Sequence, residues 1–329
     1  MTQISTGSLT VKQAFDVLLQ RIELNPTRSK LASQRYQALK ETIEANAPGK
    51  TVKQIGSFQR QTKIRPEDLS DGLDVDALVI FGSFTKFAAP GENGVTPNAA
   101  LHQVNRSLTA EDTYSVMEPE LDSPVVVLEY NDAFKVEFVP AYIDKRPQFS
   151  HGDLGIDCYI VPDGKGGWKT ADYDYDAALI SAVNGRTDVA GMLVPFIKLA
   201  KAYLRGAKVP MKSFHIEILA TLTIPKAIGR WSQENLTWGY EHLLAEFLSS
   251  APGLMVGTTL LTQGLPAGVS LPGSFSPATD SGLTADENKA VVDYLRKQAG
   301  AAWRLCGIKD EAEVVAAWRE FFGDPFPAA

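Results

Sequence analysis

Asp74 and Asp76 are separated by one residue in the run LDVDALVIF, a spacing that brings two acids together only in an extended chain. In a strand, residues two apart point to the same face, roughly 6–7 Å from each other. Two carboxylates facing one way repel each other unless a cation or a proton intervenes. A pair of divalent ions about 3.5–4 Å apart would fit between and beside them, and ligation by oxygen alone suits Mg²⁺. A lone DxD at the start of a strand is more often simply solvated, so its context decides. Eighteen residues before Asp74 stands Gly56-Ser57, in the run GSFQRQTKIRP with Arg60, Thr62 and Arg65. Glycine lets a backbone approach a phosphate closely, and exposed N–H groups with a serine hydroxyl can bind its oxygens. Glu137 supplies a third carboxylate: in FKVEFVP the apolar Phe134, Val136 and Phe138 share one face and leave Glu137 on the other with Lys135. Each element alone has an ordinary explanation as a turn or a solvated strand edge. Together they predict a metal-binding, phosphate-handling site.

The elements that must position these residues follow from periodicity. Val11, Phe15, Leu18, Leu19 and Ile22 recur at helical spacing up to Pro26, and a second helix is expected from about Ser29 to Ala45. The period then changes to two: Val75, Ala77, Val79 and Phe81 alternate with Asp74, Asp76, Leu78 and Ile80, which predicts a strand. Residues 88–98 are expected to form a surface loop. Val125–Leu128 and Phe134–Val139 are two further strands, joined by a turn at Asn131-Asp132. Beyond Pro162 the character becomes helical: Ala177–Val183, Val189–Leu204 with a kink at Pro195, Ser213–Leu222, Trp238–Leu248, Glu287–Leu305 and Glu311–Phe321. Residues 262–283, rich in Gly, Pro and Ser, are expected to be a long loop. The expectation is an α/β (α+β) chain with a sheet lobe over 1–165, a helical lobe over 166–329, and a cleft between them.

Composition narrows the chemistry. The 329 residues are 44% hydrophobic and 22% charged, as in a globular protein, and no run reaches the roughly 18 apolar residues that cross a bilayer. No basic region followed by an apolar stretch opens the sequence, so no secretory signal and no membrane association are expected. Cys158 and Cys306 do not make a disulfide framework, which fits a cytoplasmic setting. The net charge of −7, without clustered Lys and Arg, argues against a general affinity for nucleic-acid backbones. Small anionic nucleotides remain open, because metal ions and one or two lysines can neutralise them locally. His102, His151, His215 and His242 are scattered, so a Cys-and-His zinc cluster is not expected. Nor is there a GxxxxGK[ST] loop or a GxSxG elbow. Lys198, Lys201, Arg205 and Lys208 fall near one helical face, a row that is usually just solvated.

The order GSF, Arg60, Thr62, a spacer, DVD, then VEFVPAY resembles the polymerase-β-type nucleotidyltransferases. More narrowly, it is similar to the bacterial cGAS/DncV-like nucleotidyltransferases, which make cyclic oligonucleotide signals in anti-phage defence. The run LVPFIKLAKAYLRGAKVPMKSFHIEIL resembles that family's helix–loop–helix, in which a lysine and a serine hold a triphosphate; Lys201 and Ser213 match those positions. AAWREFFGDPFP resembles the family's usual close. The likeness covers most of residues 50–225 and the last dozen or so. Gln61 stands where the family often has glycine before the threonine, the spacer before Asp74 is longer than in several relatives, and Glu137 stands where aspartate is common.

The resemblance implies a sheet lobe of the polymerase-β nucleotidyltransferase kind. It implies catalysis by Asp74, Asp76 and Glu137 as ligands of two Mg²⁺ ions, with Mn²⁺ able to substitute. Gly56, Ser57, Lys201 and Ser213 would bind the nucleotide. Ribonucleoside triphosphates, ATP among them, would be joined into a cyclic di- or oligonucleotide second messenger with release of pyrophosphate. A regulatory partner from the defence system would be a candidate, whereas duplex DNA would not activate the enzyme. The alternative is a nucleotidyltransferase acting on a macromolecular or small-molecule acceptor, such as a tRNA end, a protein or an antibiotic.

Overall fold

A computed structural model describes residues 9–67, 72–84, 95–144, 156–256, 283–324 and 326–328. The chain divides into two compact units, residues 24–179 in one and residues 1–23 with 180–329 in the other. In chain order its elements begin with helix α1 (Val11–Ile22), α2 (Pro26–Asn46), strand β1 (Thr51–Ile55), the short α3 (Gly56–Gln59) and β2 (Leu73–Ser83). There follow α4 (Pro97–Thr109), α5 (Asp112–Ser115), β3 (Glu120–Asp122), β4 (Val125–Glu129), β5 (Phe134–Asp144), β6 (Cys158–Pro162) and β7 (Trp168–Ala171). The remaining helices are α6 (Tyr173–Asn184), α7 (Leu193–Gly206), α8 (Ser213–Gln233), α9 (Tyr240–Met255), α10 (Ala285–Cys306) and α11 (Glu311–Phe322).

The sheet unit is built on the strand order β1-β2-β5-β4-β3, with β6 paired to the far end of β5 and β7 to β6. Only the central pair, β2 with β5, is parallel among these described pairings. One face is apolar along its length. Val75, Ala77 and Val79 of β2, Val136 and Phe138 of β5, and Val126 and Leu128 of β4 pack with Leu39 and Ile43 of α2 and Leu101, Val104 and Leu108 of α4. The other face changes character along the strands. Leu78, Ile80, Val139 and Ala141 are covered together with Ile55, Tyr159 and Val161, whereas Asp74, Asp76 and Glu137 stand half-exposed nearer the strand starts. This is the expected period of two, with the polar residues where the face is uncovered.

The expected hairpin is present. β4 and β5 pair in antiparallel fashion around Asn131-Asp132, and Arg35 of α2 binds both Asp132 carboxylate oxygens at 2.8 and 2.9 Å. The same guanidinium lies 4.2 Å from the Tyr130 ring centroid. Helix α4 and strands β1, β6 and β7 were not expected from the sequence. Helix α4 starts at Pro97, inside the stretch read as loop; residues 88–94 of that stretch lie outside the described residues, as do 262–282 of the later one.

The division into units falls between Leu179 and Ile180 and groups residues 1–23 with the helical unit, whereas the sequence reading places a single boundary at 165/166. Helix α1 belongs with the C-terminal helices because its Phe15 is the hub of their aromatic core. Its ring meets those of Trp318, Phe322 and Phe326 edge-on, with centroids 5.4, 5.7 and 5.1 Å away. The Val11 N–H also donates to Glu311 Oε2 at 2.9 Å. Helix α7 begins at Leu193 rather than Val189, so Pro195 sits in its first turn, where no N–H is required, instead of at a kink. Helix α8 continues past Leu222 and carries Pro225 in its interior. Among the described residues, no helix is long and apolar enough to cross a membrane.

Candidate active site

Ile55 pairs with Asp76 across β1 and β2, so the next residue, Gly56, leaves the sheet directly beside the Asp76 side chain. Gly56 has φ +72°, and a Cβ at this position would collide with the Asp76 carboxylate. Backbone angle and space therefore both restrict residue 56 to glycine. Ser57 follows, half-buried, and its carbonyl accepts from the Thr62 N–H at 2.9 Å. Arg60 and Thr62, buried, form the frame of this turn. Gln61 between them has φ +59°, a left-handed conformation that explains why glycine is favoured at such a position.

The turn is tied down from α6. Gln59 donates to Asp174 Oδ1 at 2.9 Å, while Asp174 Oδ2 accepts from Lys53 Nζ at 2.5 Å and from the Tyr159 hydroxyl at 2.6 Å. One carboxylate thus joins β1, α3, β6 and α6. The sequence reading missed Asp174; the ADYDYD run that contains it was its available signal.

The third acid is brought to the first two by strand register. Asp74 lies opposite Lys135 and Asp76 opposite Glu137 in the parallel pair β2–β5. Burial raises the Glu137 pKa above the usual carboxylate range, and the negative charges of Asp76, Asp74 and Asp122 raise it further, against the lowering effect of Lys135. Lys135 is itself engaged by Glu129, 3.1 Å away. Two groups beside the acids were not singled out from the sequence. Lys63 donates to the Asp74 carbonyl at 3.2 Å and stands 4.0 Å from its carboxylate. Tyr173 packs over the Ile55–Leu78 patch, and burial, followed by the Asp76 charge, pushes its pKa to about 12, so its hydroxyl keeps its proton.

Among the described residues, no three His, Cys, Asp or Glu side chains are arranged to hold one ion as they stand. The donor set nevertheless suits hard divalent cations: three carboxylates, oxygen only, project from one sheet face. Beyond the effect of burial, the repulsion from Asp76 and Asp74 that adds to the rise at Glu137 is the kind a bound cation relieves.

The two nucleotide-binding positions expected downstream lie in the helical unit. Lys201 on α7 is 3% exposed, and its Nζ is 2.5 Å from Oε1 of Glu217, a fully buried residue of α8. Ser213 is the exposed first residue of α8. Of the basic row on α7, Lys198 is not merely solvated: it contacts both Glu23 carboxylate oxygens at 2.6 and 2.8 Å.

A mixed sheet with acids on its two parallel central strands, and a glycine–serine turn folded back against one of them, is the architecture of a nucleotidyltransferase. Residues 9–173 match the profile of the Second Messenger Oligonucleotide or Dinucleotide Synthetase domain, and the chain belongs to that family. It is a bacterial cGAS/DncV-like nucleotidyltransferase. It is 24% identical over 305 residues to a probable cyclic nucleotide synthase of Bacillus cereus (strain VD146), covering 85% of this chain and 83% of that one. In three dimensions it is similar to Escherichia coli MS115-1 CdnC, solved in complex with HORMA-deltaN (TM-score 0.66, 16% identity, 98% and 100% of the two chains). The same CdnC solved with ATP gives TM-score 0.66 and 16% identity over 97% and 99% of the chains. It is also similar to the CD-NTase CdnG of Bradyrhizobium diazoefficiens in complex with GTP (TM-score 0.64, 14% identity, 95% of each chain).

Proposed function

We propose that this chain joins ribonucleoside triphosphates into a cyclic di- or oligonucleotide, releasing pyrophosphate, as a second messenger in anti-phage defence. The observation that carries the reading is the register of β2 and β5, which sets Glu137 opposite Asp76 while the glycine–serine turn closes on Asp76 from the other side. Family membership supports the same reaction class.

In this proposal Asp74 and Asp76 would hold two Mg²⁺ ions, or Mn²⁺ in their place, and Glu137 would hold the ion nearest the attacking hydroxyl. Bound Mg²⁺ supplies acidity to a ribose hydroxyl and charge compensation to the triphosphate. Gly56 brings the backbone close enough for Ser57 to donate to a phosphate oxygen. Lys201 and Ser213 would grip the triphosphate, so that its charge is offset as the leaving bond breaks. Asp174, by binding Gln59, holds the turn in place while these contacts form. The protonated Tyr173 presents a neutral donor on the Asp76 side of the site. ATP and GTP are candidate substrates on the strength of the nucleotides bound by CdnC and CdnG, and the HORMA complex of CdnC makes a protein regulator a candidate partner.

The test is mass spectrometry of products formed from all four ribonucleotides with Mg²⁺ or Mn²⁺ and no other acceptor. A small, phosphatase-resistant product is expected, because a ring has no terminal phosphate. Label transferred only to an added macromolecule would overturn the reading.

A further inference from the structure

Glu217 is a fully buried carboxylate that the reaction outlined above does not use. It lies four residues after Ser213, one turn along the same face of α8. Helical side chains lean toward the N-terminus, so the Glu217 carboxylate lies over the turn that Ser213 begins. There it meets Lys201 Nζ at 2.5 Å. The backbone at Glu217 carries a further bond, from the Thr221 hydroxyl to its carbonyl at 2.8 Å. At the head of the helix, the N-cap residue Lys212 makes no side-chain capping bond to the first turn.

We propose that Glu217 is the positioning residue for Lys201, holding its ammonium in place and charged beside the first turn of α8, where Ser213 is presented. The proposal rests on the reading that Lys201 grips the triphosphate. A lysine stem has four rotatable carbons and a compact charge, so an ammonium at its end is poorly localised unless something holds it. Burial also disfavours the charged form. Glu217 answers both problems: its charge balances the ammonium, and one carboxylate oxygen fixes one of three N–H donors while the geometry of the others is set. The ammonium's partner Glu217 is the fifth residue of α8, close to the N-terminal end, where the backbone dipole favours an anion.

Four variants of the full-length enzyme test this by nucleotide KM, kcat and melting temperature: Lys201→Met, Glu217→Gln, Glu217→Asp and the double variant Lys201→Met/Glu217→Gln. Glu217→Gln keeps shape and removes charge; it should raise KM by roughly tenfold or more, with a smaller change in kcat at saturation, as for a lost charged contact to the ligand. Glu217→Asp keeps charge at the expense of shape and should lie closer to wild type in KM than the Gln variant. A pure packing role gives the reverse order and overturns the proposal. Adding Glu217→Gln to Lys201→Met should leave KM where Lys201→Met alone puts it, since Glu217 acts through Lys201. This comparison also decides the matter if Glu217→Gln alone fails to fold, because the double variant removes both buried charges. A further rise in KM in the double variant overturns the proposal. If Lys201→Met itself binds nucleotide as wild type does, the underlying reading of Lys201 fails. If Lys201→Met is impaired and Glu217→Gln is not, only the positioning role fails.

Discussion

The Asp76 carboxylate occupies the space that a Cβ on residue 56 would need, so the glycine–serine turn and the acidic strand are built against each other. The antiparallel pairing of Ile55 with Asp76 enforces this proximity, and the φ of +72° at Gly56 permits it.

Gly56→Ala therefore tests the geometry of the site at a single methyl group. The new Cβ must displace Asp76 or the turn, and the left-handed backbone adds strain of about 1 kcal/mol. Turnover should fall by about 100-fold or more, as expected when catalytic groups are misplaced by an ångström. Melting should show a folded protein of moderately lower stability. A variant with near-normal turnover would show that contact between the turn and Asp76 is not required.

Removing charge from the acids should separate activity from stability. Asp76→Asn and Glu137→Gln should each cut turnover by roughly two orders of magnitude or more, if both acids hold metal ions. Neither should lower the melting temperature without nucleotide, since each relieves repulsion among neighbouring acids. Full activity in Glu137→Gln would remove Glu137 from the ligand set.

The raised Glu137 pKa fixes a pH dependence and its sign. The folded protein binds this proton more tightly than the unfolded chain does, so the native state holds more protons between the ordinary glutamate pKa and the raised value. Across that window the ion-free protein should lose stability as pH rises, and Glu137→Gln should abolish this component. Protons compete with metal for the same carboxylate, so the Mg²⁺ concentration for half-maximal activity should fall as pH rises through the window. Comparing thermal melts and Mg²⁺ titrations of wild type and variant across pH checks both signs.

Gln61→Gly should stabilise the fold slightly. Relief of the left-handed strain, about 1 kcal/mol, is partly offset by the greater freedom of glycine in the unfolded chain, for a net rise of about 1–2 °C. Gln61 is exposed, so few contacts are lost. A clear fall in melting temperature would show that the Gln61 side chain contributes more than its backbone strain costs.

Chelation gives a direct test of the ion requirement. Excess EDTA should abolish product formation and pyrophosphate release while the melting temperature of the nucleotide-free enzyme stays the same, because the ions belong to the substrate complex. Undiminished synthesis in EDTA would rule out the proposed metal role. Duplex DNA added to the complete reaction should not stimulate it, given the net charge of −7.

Local sequence determined the strand carrying Asp74 and Asp76, the hairpin at Asn131-Asp132, and the face of β5 that presents Glu137. A period of two is set by the geometry of each strand and needs no partner to be read. It also marked Gly56, since a glycine–serine pair before an acidic strand has a recognisable chemical use. Tertiary pairing decided the rest. That Glu137 stands opposite Asp76, rather than one residue along, is a matter of register between strands some sixty residues apart, which no local pattern encodes. The attachment of α1 to the C-terminal helices depends on Phe15 finding Trp318, Phe322 and Phe326. Asp174 could be seen as an acid in ADYDYD, but not as the carboxylate that holds Lys53, Gln59 and Tyr159. Lys201 looked like one cation in a solvated row singled out by its motif; only the packing of α7 on α8 buried it against Glu217, because a side chain's partner is chosen by the fold rather than by its neighbours in sequence.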